Sequence, residues 1–200
     1  MILENFIVFE GIDGSGKSTQ INLLKNYLEK NGLKVECIVE PTDETIGRLI
    51  REFLTHENAT TDNMQKTLGL LFAADRMQLM NKIEAYENEG KVVLGDRSFY
   101  SSLAYQEPQE WIKEINKFAK IPDMVLLLDI DLDKSVERTT GIDEFENKEF
   151  LSLVQKKYQK LGTENGNFKV INANNGVNLV SKDIQKAVAP LFDICVSGIL

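Results

Sequence analysis

Short runs of apolar residues alternate along this chain with longer stretches in which apolar positions recur every three or four residues. The short runs are Phe6 to Phe9, Val35 to Val39, Val92 to Leu94, Met124 to Leu128 and Val170-Ile171. Each is too short for a helix, and each is followed by sequence of helical period. The periodic stretches predict helices over Lys17–Lys30, Glu44–Leu54, Thr61–Glu89, Pro108–Lys120, Lys134–Thr139, Lys148–Leu161 and Leu179–Val196, with Gly32 and Gly90 as stops. Gly69 offers a point of interruption in the longest of them. Buried strands alternating with helices predict an α/β fold, a parallel sheet covered on both faces. No repeat or low-complexity linker divides the chain, so its 200 residues, 42% of them apolar, are expected to form one domain.

Ligands on such sheets bind at the carboxyl ends of the strands. The informative polar residues fall there: Asp13 after the first strand, Glu40-Pro41 after the second, Asp96-Arg97 after the third and Asp129 to Asp131 after the fourth. Between the first strand and the first helix, Gly11-Ile12-Asp13-Gly14-Ser15-Gly16-Lys17-Ser18 fits G-x-x-x-x-G-K-[ST], a phosphate-binding loop in its strand-to-helix setting. Its glycines let successive amide N–H groups turn toward a phosphate, and the helix N-terminus that opens at Ser18-Thr19 adds partial positive charge. Lys17 can reach the β- and γ-phosphates of a nucleotide, and the Ser18 hydroxyl can ligate Mg²⁺. The expected architecture is therefore a three-layer P-loop NTPase fold with five parallel strands.

Composition narrows the partner. A net charge of −8 and a pI near 4.9 argue against a nucleic-acid surface and for a small phosphate ester held by a few focused cations. No basic and apolar leader opens the chain and its longest apolar runs are too short to span a bilayer, so a cytoplasmic protein is expected. Cys37 and Cys195 share no metal spacing with each other or with His56, the one histidine; both cysteines are expected to be packing residues, Cys37 in a buried strand. His56 lies in a polar loop with no nucleophile motif, which argues against a serine or cysteine hydrolase triad and for an exposed loop histidine. Asn116-Lys117-Phe118-Ala119 lacks the Asp of a guanine-reading Asn-Lys-x-Asp.

A second cluster concerns the acceptor. In order along the chain stand Phe9 to Gln20, Glu40-Pro41-Thr42, Leu71-Phe72-Ala73-Ala74-Asp75-Arg76, Gly95-Asp96-Arg97 with Ala104-Tyr105-Gln106, Pro122-Asp123 and Ile171-Asn172-Ala173. With these motifs the chain resembles the thymidylate kinases over nearly its whole length. The resemblance implies ATP-dependent phosphorylation of dTMP to dTDP, with ATP and dTMP as small-molecule partners, Mg²⁺ as cofactor, and a homodimer by analogy. It assigns ATP to Gly11, Ile12, Asp13, Gly14, Ser15, Gly16, Lys17, Ser18 and Thr19, with Arg138 stacking on adenine and Ala173 in the same site. Ser18 and Asp96 serve the metal, Asp96 through water.

For the acceptor it assigns Phe72 to stacking on the base, Arg76 to a pyrimidine carbonyl, Ser102 to the edge of thymine, Tyr105 to the sugar 2′ position and Asp13 to the 3′-hydroxyl. Arg97 would hold the acceptor phosphate, Arg51 would add a second contact, and Glu40 and Gln106 complete the set. Phe72 and Arg76 are four apart and share a helix face; periodicity alone favours a core Phe beside a surface Arg, and it is the resemblance that reverses this. Ser102 and Tyr105 could equally be helix residues packing on neighbours. Lys17, Arg97, Asp96 and Arg138 are the candidate catalytic groups.

One departure stands out. Neither the phosphate-binding loop nor the short lid expected over residues 139–147 contains the arginine that the family commonly aims at the transferring group. Arg138, just before the lid, is the nearest replacement, with Lys148 behind it. A kinase of deoxynucleosides or of another monophosphate such as dUMP, with Glu40 as base in the nucleoside case, and a nucleotide-binding regulatory paralogue both stay open.

Overall fold

In the computed structural model, which describes residues 5–138 and 148–194, five parallel strands run in the order β2-β3-β1-β4-β5. They are β1 (Phe6–Glu10), β2 (Val35–Val39), β3 (Val92–Asp96), β4 (Met124–Asp129) and β5 (Phe168–Asn172). The helices are α1 (Lys17–Lys30), α2 (Thr45–Leu54), α3 (Asp62–Asn88), α4 (Phe99–Tyr105), α5 (Gln109–Ile115), α6 (Leu132–Arg138), α7 (Lys148–Glu164) and α8 (Val177–Val188), followed by a 3₁₀ turn (Ala189–Phe192). This is an α/β fold of the P-loop type.

Position in the sheet explains the strand sequences. β1, β3 and β4 are covered on both faces and are buried almost throughout, so they read as unbroken apolar runs. Along β1 the side chains alternate: Phe6 and Val8 pack with Leu79, Met80 and Ile83 of α3, whereas Ile7 and Phe9 join the larger cluster that contains Leu24 and Leu28 of α1. Asp123, just before β4, accepts the backbone N–H groups of Asn5 and Phe6 at 3.0 and 2.9 Å and so sets the start of β1. β2 and β5 are edges and mix buried with exposed positions. That corrects one expectation: Cys37, in the middle of β2, is exposed. Cys195 and the lid segment lie outside the described residues.

Helix boundaries differ in physically readable ways. α3 runs unbroken through Gly69, where a Cβ would come within 2.9 Å of the Trp111 ring, so the glycine admits an aromatic neighbour and does not end the helix. α5 stops at Ile115, well short of Lys120. The C-terminal helix ends at Val188 and tightens to 3₁₀ around Pro190, which lacks the N–H to continue it. α4 was not among the expected helices; Ser98 caps it by accepting from the N–H of Tyr100.

Candidate active site

The chain leaves β1 at the carboxyl edge of the sheet and turns at once into the phosphate-binding loop. Gly11 sits at φ 139° with the carbonyl oxygen of Leu128 where a Cβ would lie, at 2.7 Å, so the loop presses against β4 more closely than any side chain allows. Gly14, at φ 73°, likewise has the carbonyl oxygen of Ser135 where a Cβ would lie, and the Ser135 hydroxyl donates to the Asp13 carbonyl at 2.6 Å. The loop is thus clamped between β4 and α6. Lys17 is buried and donates from Nζ to the carbonyls of Gly11 and Ile12 at 3.0 and 3.1 Å, with Asp13 at 3.7 Å. Burial, then repulsion from Arg97, pull its ammonium down to about 8, against the attraction of Asp13, Asp96 and Glu10.

Over the loop lies an open hollow of about 450 Å³ walled by Gly14, Gly16, Lys17, Ser18, Thr19, Asp96 and Arg138. Ser18 donates to Asp96 Oδ2 at 2.9 Å. Arg138, at the end of α6, reaches back to the Gly14 carbonyl at 3.4 Å.

A second, more enclosed cavity of about 170 Å³ opens beside it between α3 and α4. Phe72 and Arg76 line it from α3, Ser101, Ser102, Tyr105 and Gln106 from α4 and its end, and Leu54, Gln65 and Leu68 close the far side. Arg76 is 2% exposed. Its Nε and Nη2 donate to Glu40 Oε2 at 2.8 and 2.6 Å, Nη2 also to Ser102 Oγ at 3.3 Å, and Nη1 to Asn116 Oδ1. Four of five guanidinium N–H groups are therefore committed, and the remaining one is what the residue can offer the cavity. Burial pushes the Glu40 carboxyl up from its ordinary value, against the pull of Arg76. The Tyr105 hydroxyl and Gln106 Oε1 are buried in the wall with no hydrogen-bond partner among the described residues. Orphaned polar atoms at a cavity wall are suited to a polar ligand.

The two spaces meet at Asp13, Glu40 and Arg97, which belong to both walls. Arg97 has φ 73°, a rare left-handed conformation for a bulky residue, and so turns sharply off the end of β3. Its guanidinium pairs with Asp13, donates to Ser101 Oγ at 3.1 Å and lies 5.3 Å from the centre of the Tyr105 ring. Burial alone would raise the Asp13 carboxyl, but Arg97 and Lys17 hold it below its ordinary value. A hollow suited to a triphosphate thus opens, past a single arginine, into a cavity suited to a planar polar ring.

A family model for thymidylate kinase matches residues 9–184. The chain is 61% identical over 190 residues to a probable thymidylate kinase of Methanobrevibacter smithii, covering 95% of this chain and 97% of the relative. The chain belongs to the thymidylate kinase family. It is also 49% identical over 195 residues to a probable thymidylate kinase of Methanothermobacter thermautotrophicus, covering 98% and 100% of the two chains. The solved thymidylate kinase of Candida albicans shares the fold, with a TM-score of 0.80 at 24% identity over 93% of this chain and 91% of that one.

Set against the residues expected of a thymidylate kinase, the structure gathers most around the two spaces; Gly11, Ile12 and Ser15 belong to the loop but line neither, and Arg51 and Ala173 lie aside. Lys17, Ser18, Thr19, Asp96, Arg97 and Arg138 surround the hollow; Asp13, Glu40, Phe72, Arg76, Ser102, Tyr105 and Gln106 surround the cavity. Arg51 lines neither. It donates to the Thr42 and Pro41 carbonyls at 2.6 and 2.5 Å and pairs with Asp43 at 3.2 Å, which ties down the loop after β2. Ala173 is buried beyond β5, its N–H donating to the Asp129 carbonyl at 2.8 Å. Lys148 pairs with Asp133. Sequence reasoning missed Asp75, which accepts from the N–H and hydroxyl of Thr42 at 2.7 and 2.6 Å, and Asn116, which orients Arg76. It also missed the partners of Glu10. Asp75 and Glu10 stood inside quoted motifs without a role; Asn116 figured only in a failed guanine-reading pattern, which says nothing of Arg76.

Proposed function

We propose that this chain transfers the γ-phosphoryl group of ATP to dTMP, giving ADP and dTDP. The observation that carries the reading is the shared wall of Asp13, Glu40 and Arg97 between the loop hollow and the neighbouring cavity. A nucleoside monophosphate seated with its base against Phe72 directs its phosphate toward Arg97, and a nucleotide on the loop directs its γ-phosphate toward the same residue. An oxygen of the acceptor phosphate then attacks the γ-phosphorus, and the bond to the β–γ bridging oxygen breaks, leaving ADP. The acceptor is already an anion at neutral pH, so no general base is needed.

Catalysis is positioning and charge stabilisation, as befits a loose transition state. Lys17 leaves its loop carbonyls for the β- and γ-phosphates, and Arg97 leaves Asp13, which is then free to accept from a sugar hydroxyl. Arg138 is the cation nearest the loop from the lid side. Ser18 and Asp96 present a hydroxyl and a carboxylate oxygen to the hollow, the hard donors that suit Mg²⁺. When bound, the ion would neutralise phosphate charge.

We read the chain as one kinase domain with a short lid near 139–147, acting in the cytoplasm on these small molecules. No helix among the described residues is long and apolar enough to cross a membrane. The homodimer expected by analogy finds support in α3, where Leu70 and Met77 are 54% and 44% exposed and Ala74 is exposed between them, an apolar stripe at helical spacing. The deciding experiment is coupled detection of ADP with ATP, Mg²⁺ and a panel of nucleosides and monophosphates. Turnover strongest with dTMP is expected. Turnover of thymidine but not dTMP, or ATP binding with no transfer to any member, would overturn the reading.

A further inference from the structure

The last residue of β1, Glu10, is a fully buried carboxylate, 0% exposed, that the chemistry above leaves unused. A buried anion is tolerated only when its lone pairs are satisfied. Three hydroxyls do so: Ser98 donates to Oε1 at 2.8 Å, and Ser101 and Tyr158 reach Oε2 at 2.7 and 2.8 Å. They come from the turn after β3, from α4 and from α7, the helix that follows the lid segment. The cluster therefore joins the root of the phosphate-binding loop to the segment that carries Arg97.

Proton accounting gives the cluster a direction. A hydroxyl has one hydrogen and a carboxylate has none to give. Ser101 therefore spends its proton inside the cluster, on Glu10 or on the Tyr158 oxygen 2.9 Å away, and turns a lone pair outward. Arg97, which can only donate, occupies that lone pair through Nη1 at 3.1 Å. An amide at position 10 would bring donors of its own and force hydroxyls to reverse.

We propose that Glu10 is a positioning residue: its carboxylate, acting through Ser101, holds the Arg97 guanidinium where the donor hollow and the acceptor cavity meet. This rests on the reading of Arg97 as the group that grips the acceptor phosphate. Asp13 does not fix Arg97 once it is given up to the substrate sugar, and the Gly11 carbonyl is a long 3.4 Å contact, whereas the shorter bond to Ser101, itself anchored on Glu10, stays in place.

The test is calorimetric binding of dTMP, thymidine and ATP to wild type, Glu10→Gln, Ser101→Ala and the double variant, with thermal melting of each. The ratio of thymidine Kd to dTMP Kd reports the grip on the phosphate. Each single substitution should reduce that ratio by about tenfold, the loss expected of one hydrogen bond to a charged group. The double variant should fall no further than the worse single variant, because both act through one arginine. ATP affinity should fall by less than the ratio does, since Arg97 meets only its γ-phosphate while Lys17 and the loop amides are untouched.

A ratio unchanged in both single variants, or losses of all three ligands together with a lowered melting point, would overturn the proposal in favour of a merely structural carboxylate. If Glu10→Gln does not fold, Ser101→Ala decides alone: it leaves Glu10 with two hydroxyls, and an unchanged ratio refutes the link. A wild type that binds dTMP no better than thymidine would remove the reading of Arg97 itself, and the proposal with it.

Discussion

Tyr105→Phe removes one oxygen and keeps the ring, and the two effects it should produce have opposite signs. In the free protein that oxygen is buried at the cavity wall with no hydrogen bond of good geometry, although the Arg97 guanidinium lies beside it, and burial pushes the phenol up to about 12, so it is a neutral, poorly satisfied hydroxyl. Leaving such a group unpaired costs about 1–3 kcal/mol. Its removal should therefore leave the melting temperature of the free protein unchanged or raise it, by about 2–4 °C per kcal/mol at this chain length. The 2′ carbon of dTMP offers that oxygen nothing, so the partner a bound nucleotide brings is its 3′-hydroxyl or phosphate, and one such hydrogen bond is worth about 0.5–1.5 kcal/mol net. KM for dTMP should accordingly rise by about two- to twelvefold. The Arg97 guanidinium still has its ring to lie against, so kcat should change little. Differential scanning fluorimetry with and without dTMP, alongside steady-state kinetics, measures both signs. A variant that melts lower and keeps the wild-type KM would refute the reasoning, because the hydroxyl would then be a paired structural group.

Lys17→Met should abolish detectable transfer while the protein stays folded; more than about a tenth of wild-type kcat would contradict the assigned role. The lowered Lys17 value also sets a pH dependence: the folded protein sheds this proton near 8 and the unfolded chain near 10.5. The resulting stability penalty is full below pH 8 and relieved as pH climbs from there to 10.5, so melting scans of Lys17→Met against wild type should show a constant difference below pH 8 that narrows across that window. Phe72→Ala should weaken dTMP by about 1–3 kcal/mol, the worth of stacking on one base, with ATP affinity nearly unchanged; loss of both ligands with a lower melting point would make Phe72 a core residue. Arg138→Ala should lower kcat by at least about tenfold beyond any loss of ATP affinity, the pattern of a contact made chiefly in the transition state. A raised KM for ATP at constant kcat would leave Arg138 only as a platform for adenine.

What the sequence made legible was local. The phosphate-binding loop is a contiguous pattern, and the central strands announce themselves because burial on both faces leaves them apolar up to the last residue, Glu10 in β1 and Asp129 in β4. What it hid depends on distant partners. The three hydroxyls on Glu10 lie 88, 91 and 148 residues away, so no window of sequence contains the cluster. Gly69 reads as a break until Trp111 from another helix is set against it. Cys37 was expected inside because β2 looks like the other strands, and only the sheet order reveals it as an edge. Arg51 carries the right charge near the right loop, yet its guanidinium is spent on the carbonyls of Pro41 and Thr42.

The sheet order has a consequence for how the chain is made. β1 is the middle strand, and its neighbours come late: Phe6 pairs with Val93 in β3, and Glu10 with Leu127 in β4. A ribosome adding about 5–20 residues per second needs roughly 6–25 s to travel from the loop to β4. Until β3 emerges Phe6 to Phe9 have no strand on either side, and until β4 follows the phosphate-binding loop lacks the Leu128 wall it turns against. The nascent protein therefore cannot acquire its nucleotide site until more than half of it has been synthesised, and ATP is of no help to the early chain. Such long-range pairing belongs to the slow end of folding rates.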